Sequence, residues 1–441
     1  MLRVKLLKIR TAMTILTSIA LLLAAVPESK AAFLLLQDQE SDFIRFQGKV
    51  VDDITKKGLS FATLNVENSN ISSITNTEGA FSIKVPKNLR GSTVIVSFLG
   101  YKSSVISIAD LKGNGNIIML KAAPTELDEV SLIVPKDASE LVRHVLNNKG
   151  ENYFDSPTLM KAFYRETIKK RKKNISLAEA VVHIHKAPYT SSKKDQVQLQ
   201  KVRKSTDYSK LDTMALKLRG GPFNNLFIDI MKYTQYIFTP ESITNYSFTY
   251  ERTTMVNSKP VHIINFKPLE TTVSPLYKGQ LFIDPENKVL TSAIYALNIM
   301  DGKKAAHLFV KKKPKNAMVW PTAVSYRVDY NQKKGKWFFS YSNLMMTFKI
   351  NWDKKLFNSI YTLNSEMAIT DWDRDPSGTS LKRNERLSES TVISDEAVGF
   401  FDSNFWGKDN IIEPEKSIES AIKKIKRKLG KASLKGSTPA P

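Results

Sequence analysis

The sequence predicts a mainly β protein, in which a small N-terminal β-sandwich precedes a large antiparallel, curved or half-barrel β-domain with few helices. Three observations lead to this fold class. Apolar residues alternate along three N-terminal runs, which places them on one face of pleated strands and predicts a half-buried antiparallel sheet. Glycines separate these runs where turns need a positive φ or a bare backbone. From residue 158 onward, β-type runs follow one another and are separated by turn signals. The alternating N-terminal residues are Ala62, Leu64, Val66, Phe81, Ile83, Val85, Val94, Val96 and Phe98.

The N-terminus has the pattern of a secretory signal peptide over residues 1–31. Arg3, Lys5, Lys8 and Arg10 are followed by an apolar stretch from 12 to 26 and by small residues ending at Ala31. The apolar stretch is shorter than the roughly 20 residues that a membrane span needs. We therefore expect cleavage near Ala31 and export to the periplasm or the periplasmic face of the outer membrane, with a retained N-terminal anchor as the alternative.

Residues 44–121 combine a set of positions with a recognisable pattern: Gly48, Val50, Asp52, Gly58, Ala62, Asn76, Gly79, Phe81, Phe98, Gly100 and Tyr101. In these positions the segment resembles the carboxypeptidase-like regulatory domain, a transthyretin-like sandwich of Bacteroidetes cell-envelope proteins. The resemblance covers about a fifth of the chain. It implies export and an accessory role, and it implies no peptidase activity.

The chain is strongly basic and contains no cysteine. Its formal charge is +23, and +19 remains after loss of residues 1–31, which include five basic residues and one acidic residue. A surface of this sign attracts polyanions, which in an envelope are lipid headgroups, lipopolysaccharide phosphates or anionic glycans. Nucleic acid is excluded as a partner by export, and a purely solubilising charge is the alternative. The absence of cysteine excludes disulfides, thiolate metal sites and a cysteine nucleophile.

Residues 122–157 are predicted to form a linker and a helix that Asp137 or Ser139 caps and Gly150 ends. Residues 158–412 are predicted to form the antiparallel β-domain, including a strand at 305–312. Three of its motifs resemble those of uncharacterised envelope proteins that pair this sandwich with a second β-domain. These motifs are Phe163-Tyr164-Arg165-Glu166, Ser176-Leu177-Ala178-Glu179-Ala180-Val181 and the segment 405–415. Residues 277–284 resemble the strand-turn unit of lipoprotein-carrier half-barrels.

The C-terminal residues 413–430 are predicted to form an amphipathic helix, followed by a disordered tail at 431–441. Apolar residues recur at helical spacing from Ile418 to Leu429, and the last turn is rich in lysine and arginine. The apolar stripe can pack on the protein's own sheet or lie on an anionic membrane surface, and the pattern fits both.

Three constellations were weighed as sites, and none justifies assigning a catalytic, cofactor-binding or metal-ligating residue. His183 and His185 share a strand face but lack a third ligand, and no histidine has Glu three residues later as zinc carboxypeptidases require. Asp371 to Asp375 resemble the start of a calcium loop, but Pro376 and Lys382 occupy positions that need Gly and Glu. A solvated loop is the better interpretation. Glu166 and Glu179 could form a carboxylate pair, although neutralisation by Arg165 or Lys161 is favoured.

The leading interpretation is a non-enzymatic exported protein that binds an envelope component or a partner protein, with no cofactor. One alternative is a periplasmic carrier of lipid or another apolar ligand on a curved sheet. Another is a hydrolase with a carboxylate site. A deep apolar pocket favours the carrier, and paired buried carboxylates in a groove favour the hydrolase.

Overall fold

The structure is a computed structural model, and it describes residues 42–123, 137–171, 173–206, 220–256, 259–270, 276–299, 301–309, 315–353, 356–375, 377–378, 380–397 and 405–415. The predicted signal peptide and C-terminal tail lie outside these residues. So does the predicted C-terminal helix, except for Glu413 to Glu415, which have no helical structure. Among the described residues, no helix combines the length and the apolar character needed to cross a bilayer.

The N-terminal part of the chain forms two sheets that share one core. A three-stranded sheet has the order β4-β1-β7, and a four-stranded sheet has the order β3-β2-β5-β6. The strands are β1 (Phe43–Asp52), β2 (Thr63–Val66), β3 (Ser72–Ile74), β4 (Ala80–Pro86), β5 (Thr93–Ser97), β6 (Ser104–Ser107) and β7 (Asn116–Leu120). The sequence predicted an antiparallel sheet, but β1 and β7 are parallel. The alternating residues do fill the core, since Ala62, Leu64, Phe81 and Val96 are fully buried.

A tight turn between β3 and β4 explains why glycine stands at position 79. Gly79 has φ +77°, and a Cβ on it would lie 2.6 Å from the Cα of Gly58 and the carbonyl oxygen of Val50. The carboxamide oxygen of Asn76 accepts hydrogen bonds from the amides of Glu78 and Ala80 at 2.9 and 3.0 Å. The turn therefore depends on the side chain of Asn76 and on the absence of a side chain at Gly79.

The remaining strands form one open ten-stranded sheet with the order β10-β9-β8-β17-β16-β15-β14-β13-β12-β11. Each neighbouring pair of strands is antiparallel. The last strand in the sequence, β17, pairs with β8 inside the sheet, which stays open. This confirms the predicted mainly β fold class. The strands are β8 (Thr158–Lys170), β9 (Lys173–Lys186), β10 (Gln196–Thr206), β11 (Tyr246–Val256), β12 (Lys259–Pro268), β13 (Tyr277–Asp284), β14 (Val289–Leu297), β15 (Ala317–Lys333), β16 (Lys336–Trp352) and β17 (Ser359–Arg374).

Five short helices accompany the sheet in the described residues: α1 (Ala138–Asn147), α2 (Lys149–Asn152), α3 (Pro222–Leu226), α4 (Gly302–Phe309) and α5 (Ile393–Glu396). Asp137 caps α1, since its carboxylate accepts from the amides of Ser139 and Glu140. Gly150, predicted to end this helix, instead lies within α2, because the backbone amide of Asn148 caps α1 earlier.

Two faces of the large sheet have different partners. The inner face carries Tyr164, Val182 and Met367, which share the main core with Phe223 of α3 and Val142 of α1. The outer face carries Phe163, Val181, Tyr341 and Ala368, which pack with Ile74 of β3 and with Trp406. The sandwich therefore contacts the outer face, and the helices cover part of the inner face. Independent folding of residues 44–121 stays a prediction.

Two local predictions were wrong. The strand expected at 305–312 is helical at residues 305–309, because the Asp301 carboxylate accepts from the amides of Lys303 and Lys304 and starts α4, and residues 310–312 lie outside the described part of the chain. The solvated loop expected from Asp371 is the end of β17, because Asp371 to Arg374 pair with residues 158–161 of β8. A local side-chain cap decided the first case, and pairing with a strand distant in sequence decided the second.

Candidate functional site

A cleft opens beside the ends of β8 and β9, with a cavity volume of about 760 Å³. Its walls are the two strand ends, the loop that follows β9, and the segment that follows β17. The loop begins at Pro188, which cannot donate to a sheet ladder and so favours the end of β9. The lining includes Thr158, His185, Lys186, Asp195, Arg386 and Glu389.

The floor of the cleft is a buried ion-pair network centred on Lys186. Its ammonium lies 2.9 Å from a carboxylate oxygen of Asp195 and 2.8 Å from one of Asp229. Burial alone would lower the pKa of Lys186, but the two carboxylates outweigh it and raise that pKa above its usual value. The Lys186 amine is therefore charged and paired, which suits a structural role and not that of a nucleophile.

A second lysine, Lys232, holds the loop after β9 in place. The ammonium of Lys232 donates to the carbonyl oxygens of Pro188 and Ser191 at 2.7 and 2.6 Å. Burial lowers the pKa of Lys232 to about 8. Lys186 therefore fixes the floor of the cleft, and Lys232 holds the loop after β9 that forms one of its walls.

The rim of the cleft carries exposed charges of both signs. Lys194 and Glu389 form an ion pair at 2.8 Å. Lys193 and Arg386 are exposed, and neither has a side-chain ion pair among the described residues. His185 Nδ1 lies 3.9 Å from Asp375 Oδ2, which is too far for a hydrogen bond. The rim therefore offers two uncompensated cations beside polar side chains, an arrangement that can receive an anionic group.

A second ionic cluster lies on the outer face of the sheet, around Arg165. This residue is 1% exposed, and its guanidinium lies 2.8 Å from Glu179 and 3.1 Å from Glu366. Glu179 also lies 2.7 Å from Arg203. Burial would raise the pKa of Glu179, but the two guanidinium groups outweigh it and lower that pKa. The Arg203 guanidinium lies 4.6 Å from the centre of the Trp406 ring, so aromatic rings cover the cluster.

The N-terminal sandwich carries the clearest likeness to known proteins. Residues 46–132 match the model of the CarboxypepD_reg-like domain. This domain accounts for β1 to β7 and for the Asn76–Gly79 turn, which confirms the resemblance drawn from the sequence. Residues 124–132 of the match lie outside the described part of the chain.

The chain is also similar to several solved structures at low identity. A domain from Vibrio parahaemolyticus described as an outer membrane lipoprotein-sorting protein domain is 11% identical, with a TM-score of 0.24, and the match covers 56% of this chain and 94% of that one. A DUF1329 family protein from Desulfovibrio piger is 9% identical, with a TM-score of 0.24 and coverage of 56% and 96%. MucB in complex with MucA is 10% identical, with a TM-score of 0.18 and coverage of 54% and 98%. No curated protein matches the chain.

The CarboxypepD_reg-like domain and the large sheet both bind the segment from Phe405 to Glu415, called here the C-terminal segment. From the domain, the Lys84 amide donates to the Asn410 side chain at 2.6 Å, and the Asn410 carboxamide donates back to the Lys84 carbonyl at 3.1 Å. From the sheet, Lys201 lies 2.8 Å from Asp409. The Asn410 carboxamide thus makes with the Lys84 backbone the two hydrogen bonds that a neighbouring strand would make at the edge of β4.

The structure separates the carboxylates that the sequence grouped together. Glu179 lies opposite Arg165 in the sheet, but Glu166 lies opposite Ala178 and faces the inner side. The Glu166 carboxylate accepts a hydrogen bond of 3.0 Å from the Tyr164 hydroxyl. The two carboxylates therefore cannot act on one substrate. His183 and His185 do share a face, and no cluster suited to a metal ion occurs in the described residues.

Sequence reasoning missed the cleft. Lys186 is the last residue of β9, while Asp195 and Asp229 lie in separate loops. No fixed spacing links these three residues, so no motif could reveal them. The one available signal was the unusual position of a lysine directly after the apolar run of β9, where burial requires a partner.

Proposed function

We propose that the protein is an exported, non-enzymatic envelope protein that binds an anionic envelope component in the cleft. The observation that carries this proposal is the pair of cations at the rim of the cleft, Lys193 and Arg386, which have no side-chain ion pair among the described residues. A guanidinium forms paired hydrogen bonds with phosphate or carboxylate, and a nearby ammonium adds a second positive charge. Export rests on the signal-peptide pattern of residues 1–31.

The chemistry of the buried groups supports binding over catalysis. Lys186, Glu179 and Arg165 are each held by an oppositely charged partner within 3 Å. A general base needs a free form near the working pH, and these ion pairs oppose it. The buried charges instead serve to hold the loop after β9 and the C-terminal segment in place.

A carrier function would need apolar space on the inner face of the sheet. In the described residues, that face packs against the protein's own Phe223, Leu226 and Phe238, which belong to the main core. An apolar ligand would have to displace these side chains. The cleft is already open, so it is the better-supported binding site.

Calorimetric titration of the mature protein with lipopolysaccharide, and with the same material after dephosphorylation, tests the proposal. We expect binding of the phosphorylated form and loss of about tenfold in affinity when Lys193→Gln and Arg386→Gln are combined, since charge-assisted hydrogen bonds are lost. The matched control combines Lys382→Gln and Arg383→Gln, which are exposed in the same segment but outside the cavity lining. Equal binding of both materials would favour a carrier, and release of a product would favour a hydrolase.

A further inference from the structure

Three large apolar side chains stand exposed around the three-stranded sheet of the sandwich, two of them on β7 and one in the turn that follows β1. Ile54 is 85% exposed, Ile117 is 68% exposed and Met119 is 50% exposed. We call them the sandwich patch. The register of β7 accounts for two of them, because Ile118 and Leu120 point into the sandwich core and their neighbours must point outward. A strand with one solvated face usually carries polar residues there, so apolar residues on this face indicate a contact surface.

Lysines surround the sandwich patch. Lys49 pairs in register with Ile117, and the Lys56 ammonium lies 3.1 Å from the Met119 sulfur. Lys121 follows β7, and its carbonyl accepts from the amide of Lys102. All four lysines are exposed, and Lys56 also has a 3.4 Å ion pair with Asp53. The patch is therefore apolar at its centre and positively charged around it.

In the described part of the chain, the sandwich patch lies away from the contact between the sandwich and the large sheet. The sandwich contacts that sheet through β3, where the Ser72 hydroxyl donates to the Ile369 carbonyl at 2.7 Å. β3 belongs to the four-stranded sheet, whereas the patch lies on the three-stranded sheet at β7, which is an edge strand. The patch can therefore meet an external surface while the sandwich stays attached.

We propose that the sandwich patch is a contact site for a lipid bilayer that contains anionic headgroups. Apolar side chains that project from the protein surface can enter the boundary between headgroups and acyl chains, and the surrounding lysines can meet anionic headgroups. Lysine stems also lie along apolar surface while their charges stay in water. Charge complementarity thus favours a bilayer over a neutral partner surface. This site is distinct from the cleft.

Sedimentation with vesicles tests the proposal, using phosphatidylcholine alone and phosphatidylcholine containing phosphatidylglycerol. We expect binding to the anionic vesicles only, weakening as salt rises. The variant Ile54→Ser, Ile117→Ser, Met119→Ser should bind at least about tenfold more weakly, since each removes apolar area from the contact. Replacing Lys49 and Lys121 by Gln should cost about fivefold for each lysine. The matched control replaces Val105, Met318 and Met345 by Ser, which are 63%, 46% and 45% exposed elsewhere.

A fluorescent label measures insertion directly, because the chain has no cysteine and any introduced one is unique. Ile117→Cys carrying a nitrobenzoxadiazole group should brighten and shift to the blue on anionic vesicles, while Val105→Cys should not change. Binding that is unaffected by the patch variant would assign it to another basic region and overturn the proposal. The proposal would also be overturned if sedimentation velocity showed that the native protein self-associates and that the patch variant does not. The patch would then be an interface between copies of the chain.

Discussion

The guanidinium of Arg165 donates a hydrogen bond of 2.7 Å to the main-chain carbonyl of Ile412, across 247 residues of sequence. The same guanidinium pairs with Glu179 on β9 and Glu366 on β17. One buried side chain therefore joins two neighbouring strands to the C-terminal segment. Removing a partner from such a cluster leaves a buried charge uncompensated, which costs more than the cluster contributes when complete.

Arg165→Met should destabilise the protein by about 3–5 kcal/mol, because Glu366 loses its cationic partner inside the protein. Urea unfolding measured by circular dichroism gives the free energy of unfolding. Arg252→Met is the control, since Arg252 is exposed and its ion pair with Glu251 is a surface pair worth at most about 1 kcal/mol. A loss as small as that of the control would mean that Arg165 does not hold the C-terminal segment.

Glu166 should make the free energy of unfolding fall as pH rises, whereas a carboxylate with a lowered pKa makes it rise. Burial raises its pKa from 4.5 to about 7, so between these pH values the folded protein keeps a proton that the unfolded chain has lost. The stabilisation is complete below pH 4.5 and is lost as pH rises toward 7, by an amount on the order of 3 kcal/mol. Glu166→Gln removes this titration, so its stability relative to the native protein should increase with pH over that window. A constant difference across the window, measured by urea unfolding, would contradict the assignment.

Asn76 should couple the CarboxypepD_reg-like turn to the C-terminal segment through a single amide group. Its Nδ2 donates to the Glu413 carbonyl at 3.0 Å, while its Oδ1 accepts from the amide of Glu78 in the turn. Asn76→Asp keeps the acceptor and loses the donor, so hydrogen exchange should rise in residues 409–415 and stay slow at Ala80. Asn76→Ala, which removes both, should raise exchange in both places. Unchanged exchange in the segment after Asn76→Asp would show that the bond does not hold it.

Gly79→Ala should destabilise the sandwich more than Gly115→Ala. The two glycines have nearly the same φ, +77° and +78°, but a Cβ at position 115 meets nothing within 4 Å. Ala in the left-handed region costs about 1–2 kcal/mol at either site, and the clash with backbone atoms adds to this only at Gly79. Thermal unfolding of both variants isolates the added cost. Equal shifts in the midpoint would mean that the Gly58 backbone moves away freely.

Much of the fold could be predicted because strand periodicity is a local property. Alternation from Ala62 to Val66 and the apolar runs after residue 158 predicted strands that the structure contains. The capping of α1 by Asp137 was also predictable, since a cap bonds to amides two and three residues away. The helix at 302–309 was missed although Ala305 and Ala306 favour a helix and Asp301 caps it, because it is short and lies among strands.

The sequence by itself determined the fold class, the resemblance of the sandwich and the strongly basic charge, because these follow from local pattern and composition. Only the tertiary structure decided which charges meet. It separated Glu166 from Glu179 by placing them on opposite faces of a strand pair, since a shift of one residue reverses the side-chain direction in a strand. It brought Lys186 to Asp195 and Asp229, and Arg165 to Ile412. Contacts between residues far apart in sequence depend on strand order and register, and no local spacing encodes either.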